Sequence, residues 1–211
     1  ISAESGLSTF RDSGGLWAYY DVEDVATPKA WKNIQDLVLE FYNKRRQQAF
    51  AAKPNIAHKA LVRLEKYFHI DIITQNIDNL HERSGSSKVL HLHGEVDKVR
   101  SIGTDKIYNQ GDKNLISGDL CPDGYQLRPH VVWFGEEVPN MNKAFTIIKK
   151  ADILIITGTS LNVYPASNIV KFAPKLSVKY LVDPLDVIVK DIDNLFILKE
   201  KASTGIPKVV D

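Results

Sequence analysis

Ile70-Asp71-Ile72-Ile73-Thr74-Gln75-Asn76-Ile77-Asp78 is the stretch whose reading decides the fold: a short apolar, β-rich run that ends abruptly in polar groups. Similar runs recur at 89–93, 153–157, 178–182 and 195–198. None alternates cleanly between apolar and polar, the mark of strands covered on both faces. Helical patterns lie between them: 56–68, with Ala57, Ala60, Leu61, Leu64 and Phe68 on one side, then 141–150, then a segment after Pro165. Alternating strand and helix predicts an α/β fold, a parallel sheet with helices on both faces. Such sheets bind ligands beyond the carboxyl ends of their strands. Three of those ends carry unusual groups: Gln75-Asn76-Ile77-Asp78, His93-Gly94-Glu95 and Gly158-Thr159-Ser160.

Two stretches break the alternation. Thr27-Pro28 is a helix start, a capping hydroxyl followed by proline in the first turn, and the pattern predicts one long helix to about residue 49. Residues 101–128 hold Gly103, Gly111, Gly118 and Gly124 with few large apolar groups, so they read as turns without a core of their own. Together these form a small second lobe, 26–54 and 98–128, inserted into a sheet domain of 1–25, 55–97 and 129–211. The 211 residues are 44% hydrophobic and 25% charged, ordinary for a globular protein, which excludes disorder and collagen. A net charge of +1 argues against nucleic acid as a partner. Cys121 is the only cysteine, so no internal disulfide can form, and no apolar window suggests a membrane span or signal peptide. A cytoplasmic monomer is expected. The first residues, Ile1-Ser2-Ala3-Glu4-Ser5-Gly6, read as a turn with no strand before it, and the natural protein is expected to extend further.

Asn76 and Asp78 alternate about Ile77, and with Gln75 they offer amide donors, amide acceptors and one negative charge, a set suited to a sugar hydroxyl or a carboxamide. The same residues also suit a plain turn, with Asp78 capping a helix at Asn79. His93 stands at a strand end before a glycine, where an imidazole can act as general base or rest as a hydrogen-bonded core residue. His91 and His93 with Glu95 or Cys121 suggest a metal, but no second cysteine or histidine pair completes the ligands. Gly158-Thr159-Ser160 can turn backbone N–H groups toward phosphate or ribose, although no Gly-x-Gly-x-x-Gly is present. In the long helical pattern Arg45 falls on the apolar stripe of Ala30, Ile34, Leu37, Val38 and Phe41, with Tyr42 beside it. A guanidinium there serves either a structural ion pair or the carboxylate of a substrate.

Taken in order, these pieces resemble the sirtuin family of NAD-dependent protein-lysine deacylases. Ser2-Ala3-Glu4-Ser5-Gly6-Leu7-Ser8-Thr9-Phe10-Arg11 is similar to its cofactor loop, Thr74 to His81 to its Gln-Asn-Ile-Asp signature, and His93-Gly94 to its catalytic histidine. Arg128-Pro129-His130-Val131-Val132-Trp133-Phe134-Gly135-Glu136 and Gly158-Thr159-Ser160 are similar to its substrate-channel and nucleotide motifs. The resemblance implies a Rossmann-like fold with NAD consumed as co-substrate. It also implies that a strand and a Gly-Ala-Gly turn precede Ile1. Ala3, Phe10 and Arg11 would line the cofactor loop; Gln75 and Asn76 would meet the nicotinamide ribose, and Ile77 and Asp78 the carboxamide. Gly158, Thr159, Ser160, Asp183 and Ala202 would hold the adenosine half. The acyl oxygen would displace nicotinamide with Asn76 and His93 as catalytic residues, His93 being general base, and the acyl group would leave on ADP-ribose. The acylated-lysine peptide would dock as a strand between Gly135-Glu136 and Leu161-Asn162-Val163, with Val132 and Phe134 flanking the lysine stem.

Tyr42-x-x-Arg45 resembles the pair that marks the sirtuin class acting on succinyl and malonyl groups, and Ala26 matches its small residue beside the acyl chain. Acetyl remains a secondary substrate in this reading. One departure stands out: most sirtuins hold zinc with two Cys-x-x-Cys pairs, whereas Ser101 stands where the first begins and Cys121 is the only thiol, so no metal is expected. Protein mono-ADP-ribosylation, a non-catalytic NAD or ADP-ribose sensor and a metal hydrolase are the alternatives.

Overall fold

The computed structural model describes residues 1–8, 20–159, 166–186 and 192–211. Thr27 caps α2 (Pro28–Asn33), its Oγ1 accepting from the Ala30 N–H at 3.0 Å, but the expected single helix is two. It breaks at Ile34, where φ −139° and ψ 51° leave the helical region, and α3 (Gln35–Ala51) restarts on a new axis. Asn33 and the β-branched Ile34 hold a helix weakly, and the break lets Ala30 of α2 and Val38 and Phe41 of α3 reach one apolar cluster. A short α1 (Val22–Val25) precedes them. Next, α4 (Ile56–Leu64) stops four residues before its expected end, and β1 (Ile72–Thr74) starts two residues late.

α5 (Leu80–Ser84) leads to β2 (Val89–His91), which pairs parallel with β1 and leaves His93 just past the strand end. A second parallel sheet joins β6 (Ile153–Thr157), β7 (Val178–Val182) and β8 (Leu195–Leu198). Leu181 and Val182 of β7 face opposite sides. Leu181 meets α6 (Met141–Ile148) and the 3-10 helix Ala166–Phe172, while Val182 meets α4 and α7 (Ala202–Val210). Helices thus cover both faces, as the alternation predicts. The strands are less enclosed than expected: Ile153, Phe196 and Ile197 are about half exposed, because β6 and β8 are edges of their sheet. Among the described residues β1 and β6 have one strand neighbour each, and a cavity of about 840 Å³ lies between their free edges.

The larger correction is a third sheet. β3 (Gly94–Ser101) pairs antiparallel with β4 (Ile107–Asn109) and β5 (Leu127–Val131), so β3 runs across the limit expected at 97/98 and β5 across that at 128/129. Residues 101–128 also share a core: Leu115 is buried against Leu39 of α3 and Val99 of β3. Arg46 is fully buried, and its Nε donates to the Val96 carbonyl at 2.8 Å. No helix among the described residues is long and apolar enough to cross a membrane.

Candidate active site

Thr74 ends β1 and its Oγ1 accepts from the Asn76 N–H at 3.0 Å, turning the chain outward at the carboxyl end of the strand. The Asn76 amide then donates to Ser2 Oγ at 2.9 Å, which brings the segment around Ala3 against the turn. His93 Nδ1 donates to the Gln75 carbonyl at 3.0 Å, so its Nε2 is the basic nitrogen. Burial lowers the His93 pKa, against that hydrogen bond, and favours the neutral ring a base requires. Gly94 follows with φ +82°, and a Cβ there would lie 2.1 Å from the His130 carbonyl oxygen; only glycine allows this approach of β3 to β5. Asp78 is buried and its Oδ1 accepts from the Leu80 N–H at 3.2 Å, a turn contact one residue ahead of Asn79, which is the N-cap of α5. Ile77 packs on the cluster that holds Tyr42 and Trp133.

Across the cavity from this turn, β6 ends at Thr157-Gly158-Thr159, and both strand ends line the same 840 Å³ space. Gly158 has φ +62° and a Cβ would stand 2.7 Å from the Ile1 nitrogen, so side-chain-free backbone forms this rim. Gln75 and Asn76 on one side of this space face Thr157, Gly158 and Thr159 on the other. Asp183 is buried at the end of β7 with Oδ1 accepting from Leu185 N–H at 2.9 Å. At Ala202, expected to hold the adenosine half, the N–H donates to Glu4 Oε1 at 2.8 Å, and the Ser203 N–H to Glu4 Oε2 at 3.0 Å. Burial of Glu4 opposes its charge, but hydrogen bonds from Ser203 and Ala202 prevail and hold the carboxyl below its usual range. This clamp joins chain segments too far apart for any local pattern to reveal it. Phe10, Arg11, Ser160, Leu161, Asn162 and Val163 lie outside the described residues.

The second wall comes from α3 and the segment after β5. Ala26, Tyr42, Val131 and Trp133 form one buried cluster, and Trp133 Nε1 donates to the Tyr42 hydroxyl at 3.1 Å. Indole is a donor only, so the phenol accepts here and its own proton points elsewhere. Arg45 is buried, as the wheel predicts, with Nη1 donating to the Ser8 carbonyl at 3.0 Å. Burial lowers its pKa, and the charge of Asp78 opposes that shift. Val132 N–H donates to the His93 carbonyl and Phe134 N–H to that of Ala26, at 3.0 and 2.9 Å, so residues 132–134 link the two walls. Val131 and Trp133 point inward, whereas Val132 and Phe134 remain accessible for a ligand stem.

Glu136 is more committed than the sequence suggests. Its carboxylate receives Arg128 at 2.6 and 3.2 Å, Arg100 at 3.2 Å and the Trp133 N–H at 2.8 Å. The Arg128 guanidinium lies 3.3 Å from the Trp133 ring centre, a cation–π brace. Sequence reasoning gave Arg128 and Trp133 no individual role, and their meeting depends on tertiary packing. The family's zinc does not fit this chain. Ser101 Oγ accepts from the N–H groups of Gly103 and Thr104, and the buried Cys121 Sγ donates to it at 3.5 Å. One thiol and one occupied hydroxyl cannot supply four thiolates.

The Sir2 family profile matches residues 1–165. The chain is 53% identical over 184 residues to an NAD-dependent protein deacylase of Helicobacter pylori strain J99, covering 87% of this chain and 79% of that protein. It is 46% identical over 215 residues to one of Bacteroides thetaiotaomicron, covering 99% and 92%. A solved Sir2 homologue mutant in complex with ADP-ribose superposes with a TM-score of 0.92 at 34% identity, covering all of this chain and 86% of the other. The chain belongs to the Sir2 family.

Proposed function

We propose that this NAD-dependent protein deacylase prefers lysines carrying a succinyl or malonyl group and retains acetyl as a secondary substrate. The observation that carries the preference is the buried Arg45 guanidinium one helical turn from Tyr42, beside the small Ala26. Tyr42 accepts from Trp133 and keeps a proton to donate, so the pair offers an acyl carboxylate a phenol and a guanidinium. A charge-assisted hydrogen bond of this kind contributes about 1.5–3 kcal/mol, or roughly ten- to hundredfold in rate if made in the transition state. Bound NAD supplies an electrophilic ribose carbon and nicotinamide as leaving group. Asn76 orients the ribose, Asp78 and Ile77 hold the carboxamide, and His93 Nε2 takes a proton from a ribose hydroxyl. Thr157-Gly158-Thr159 and Asp183 form the rim suited to the adenosine half. The acylated peptide enters over Val132 and Phe134 and adds as a strand beside Gly135-Glu136. In this reading the 101–128 lobe holds no zinc and is kept in place by local turns and packing, among them the Ser101–Cys121 contact.

Steady-state kinetics with matched succinyl-, malonyl- and acetyl-lysine peptides test the preference. Arg45→Met should lower kcat/KM for succinyl-peptide ten- to hundredfold and change acetyl-peptide by less than about threefold. Equal losses on both would overturn the assignment.

A further inference from the structure

We propose that His91, carried as an imidazolium between Asn76 and Glu82, is a positioning residue that fixes the Gln75–Asn76 turn for catalysis. Its Nδ1 lies 2.8 Å from the Asn76 carbonyl and its Nε2 2.8 Å from Glu82 Oε1. Both partners are acceptors, a carbonyl and a carboxylate, so both ring nitrogens carry protons when both bonds are made. His91 is 6% exposed, and the Asn140 amide donates to the His91 carbonyl at 2.8 Å, so main chain and side chain are both held. Two residues on, His93 donates its Nδ1–H to the preceding carbonyl, that of Gln75. Two imidazoles thus brace successive carbonyls of one turn, a neutral one facing the substrate cleft and a charged one behind it.

The charged groups around His91 come from two elements. Glu82 and His81 stand on α5, and Glu95 on β3, where Lys98 also pairs with it at 2.7 Å. Burial disfavours the imidazolium, Glu82, the Asn76 carbonyl and Glu95 favour it, and the net shift is upward from 6.5. When Nε2 loses its proton, two lone pairs face each other at hydrogen-bond distance, and the hold on Asn76 weakens. The inference rests on the catalytic roles given above to Asn76 and His93.

The experiment is the pH profile of kcat/KM for NAD in the wild type, Glu82→Gln, His91→Phe and His93→Ala. The wild type should show an alkaline limb. In Glu82→Gln that limb should vanish, because a glutamine amide donates to the neutral Nε2 and holds the ring at high pH. His91→Phe should lose tenfold or more at every pH with no alkaline limb. A wild type flat up to pH 9, or a Glu82→Gln profile that superposes on the wild type, overturns the proposal, and the latter decides it even where His91→Phe does not fold. Full activity in His93→Ala would instead overturn the underlying catalytic assignment.

Discussion

Tyr42→Phe separates stability from recognition at one atom. Trp133 is 2% exposed, and its Nε1–H has the Tyr42 hydroxyl as acceptor at 3.1 Å. Removing that oxygen keeps the ring, its edge-on contact with Phe41 at 5.0 Å and nearly all the buried apolar area, but orphans an indole donor. A buried donor left without a partner costs about 1–3 kcal/mol. For a domain of this size each kcal/mol moves Tm by roughly 2–4 °C, so the variant should melt about 2–12 °C lower. No charge is lost, since burial pushes the phenol pKa well above its ordinary value. Thermal melts followed by circular dichroism read the stability arm. Kinetics on paired peptides read the other, where succinyl turnover should fall about tenfold and acetyl turnover stay within about twofold at a temperature where the variant is folded. A Tm within 1 °C of the wild type would refute the claim that the hydroxyl satisfies Trp133, and equal losses on both peptides would refute its part in recognition.

Acid should destabilise the fold through His58 and His81, whose buried rings meet edge-on at 4.8 Å and whose pKa values burial pushes down to about 4. The unfolded chain takes up protons near 6.5 that the folded one refuses until about 4, so stability is full above that range and falls as pH drops through it. The slope is at most about 1.4 kcal/mol per pH unit for each ring. Urea unfolding that gives the same free energy at pH 7 and pH 5 would contradict this. Gly94→Ala forces a methyl group against the His130 carbonyl at a positive φ and should cost about 2–6 kcal/mol, seen as lost soluble yield or a much lower Tm; a wild-type melt would deny the close approach. Chelator treatment should leave Tm and turnover unchanged, and elemental analysis finding one zinc per chain would refute the metal-free lobe.

Several features were legible in the chain because they are local. The apolar runs at 153–157, 178–182 and 195–198 became strands with those limits. The ends of β1 and β6, with Gln75 and Asn76 on one and Gly158 and Thr159 on the other, line one cavity, and Arg45 was buried as its place on the stripe predicts. β3 was not legible, because its register shifts between Gly94 and Val99. Val96 and Val99 both point inward, three apart, with charged residues between them, so period-two reading finds no strand. The bend at Ile34 depends on two helices sharing one cluster, and the Glu4 clamp on α7 on segments from opposite ends of the sequence. The burial of Arg46 was not legible, because its Nε bonds a main-chain carbonyl on β3, which no helical wheel displays.

The open space between β1 and β6 bears on how the cleft holds its shape. One bank carries Gln75 and Asn76, the other Gly158 and Thr159, and among the described residues no ladder of main-chain bonds runs from bank to bank. What joins them is apolar packing beneath, where Leu92 from one side meets Ile156 and Leu181 from the other. Dispersion and burial resist pulling apart, so these few aliphatic side chains tie both banks to one floor.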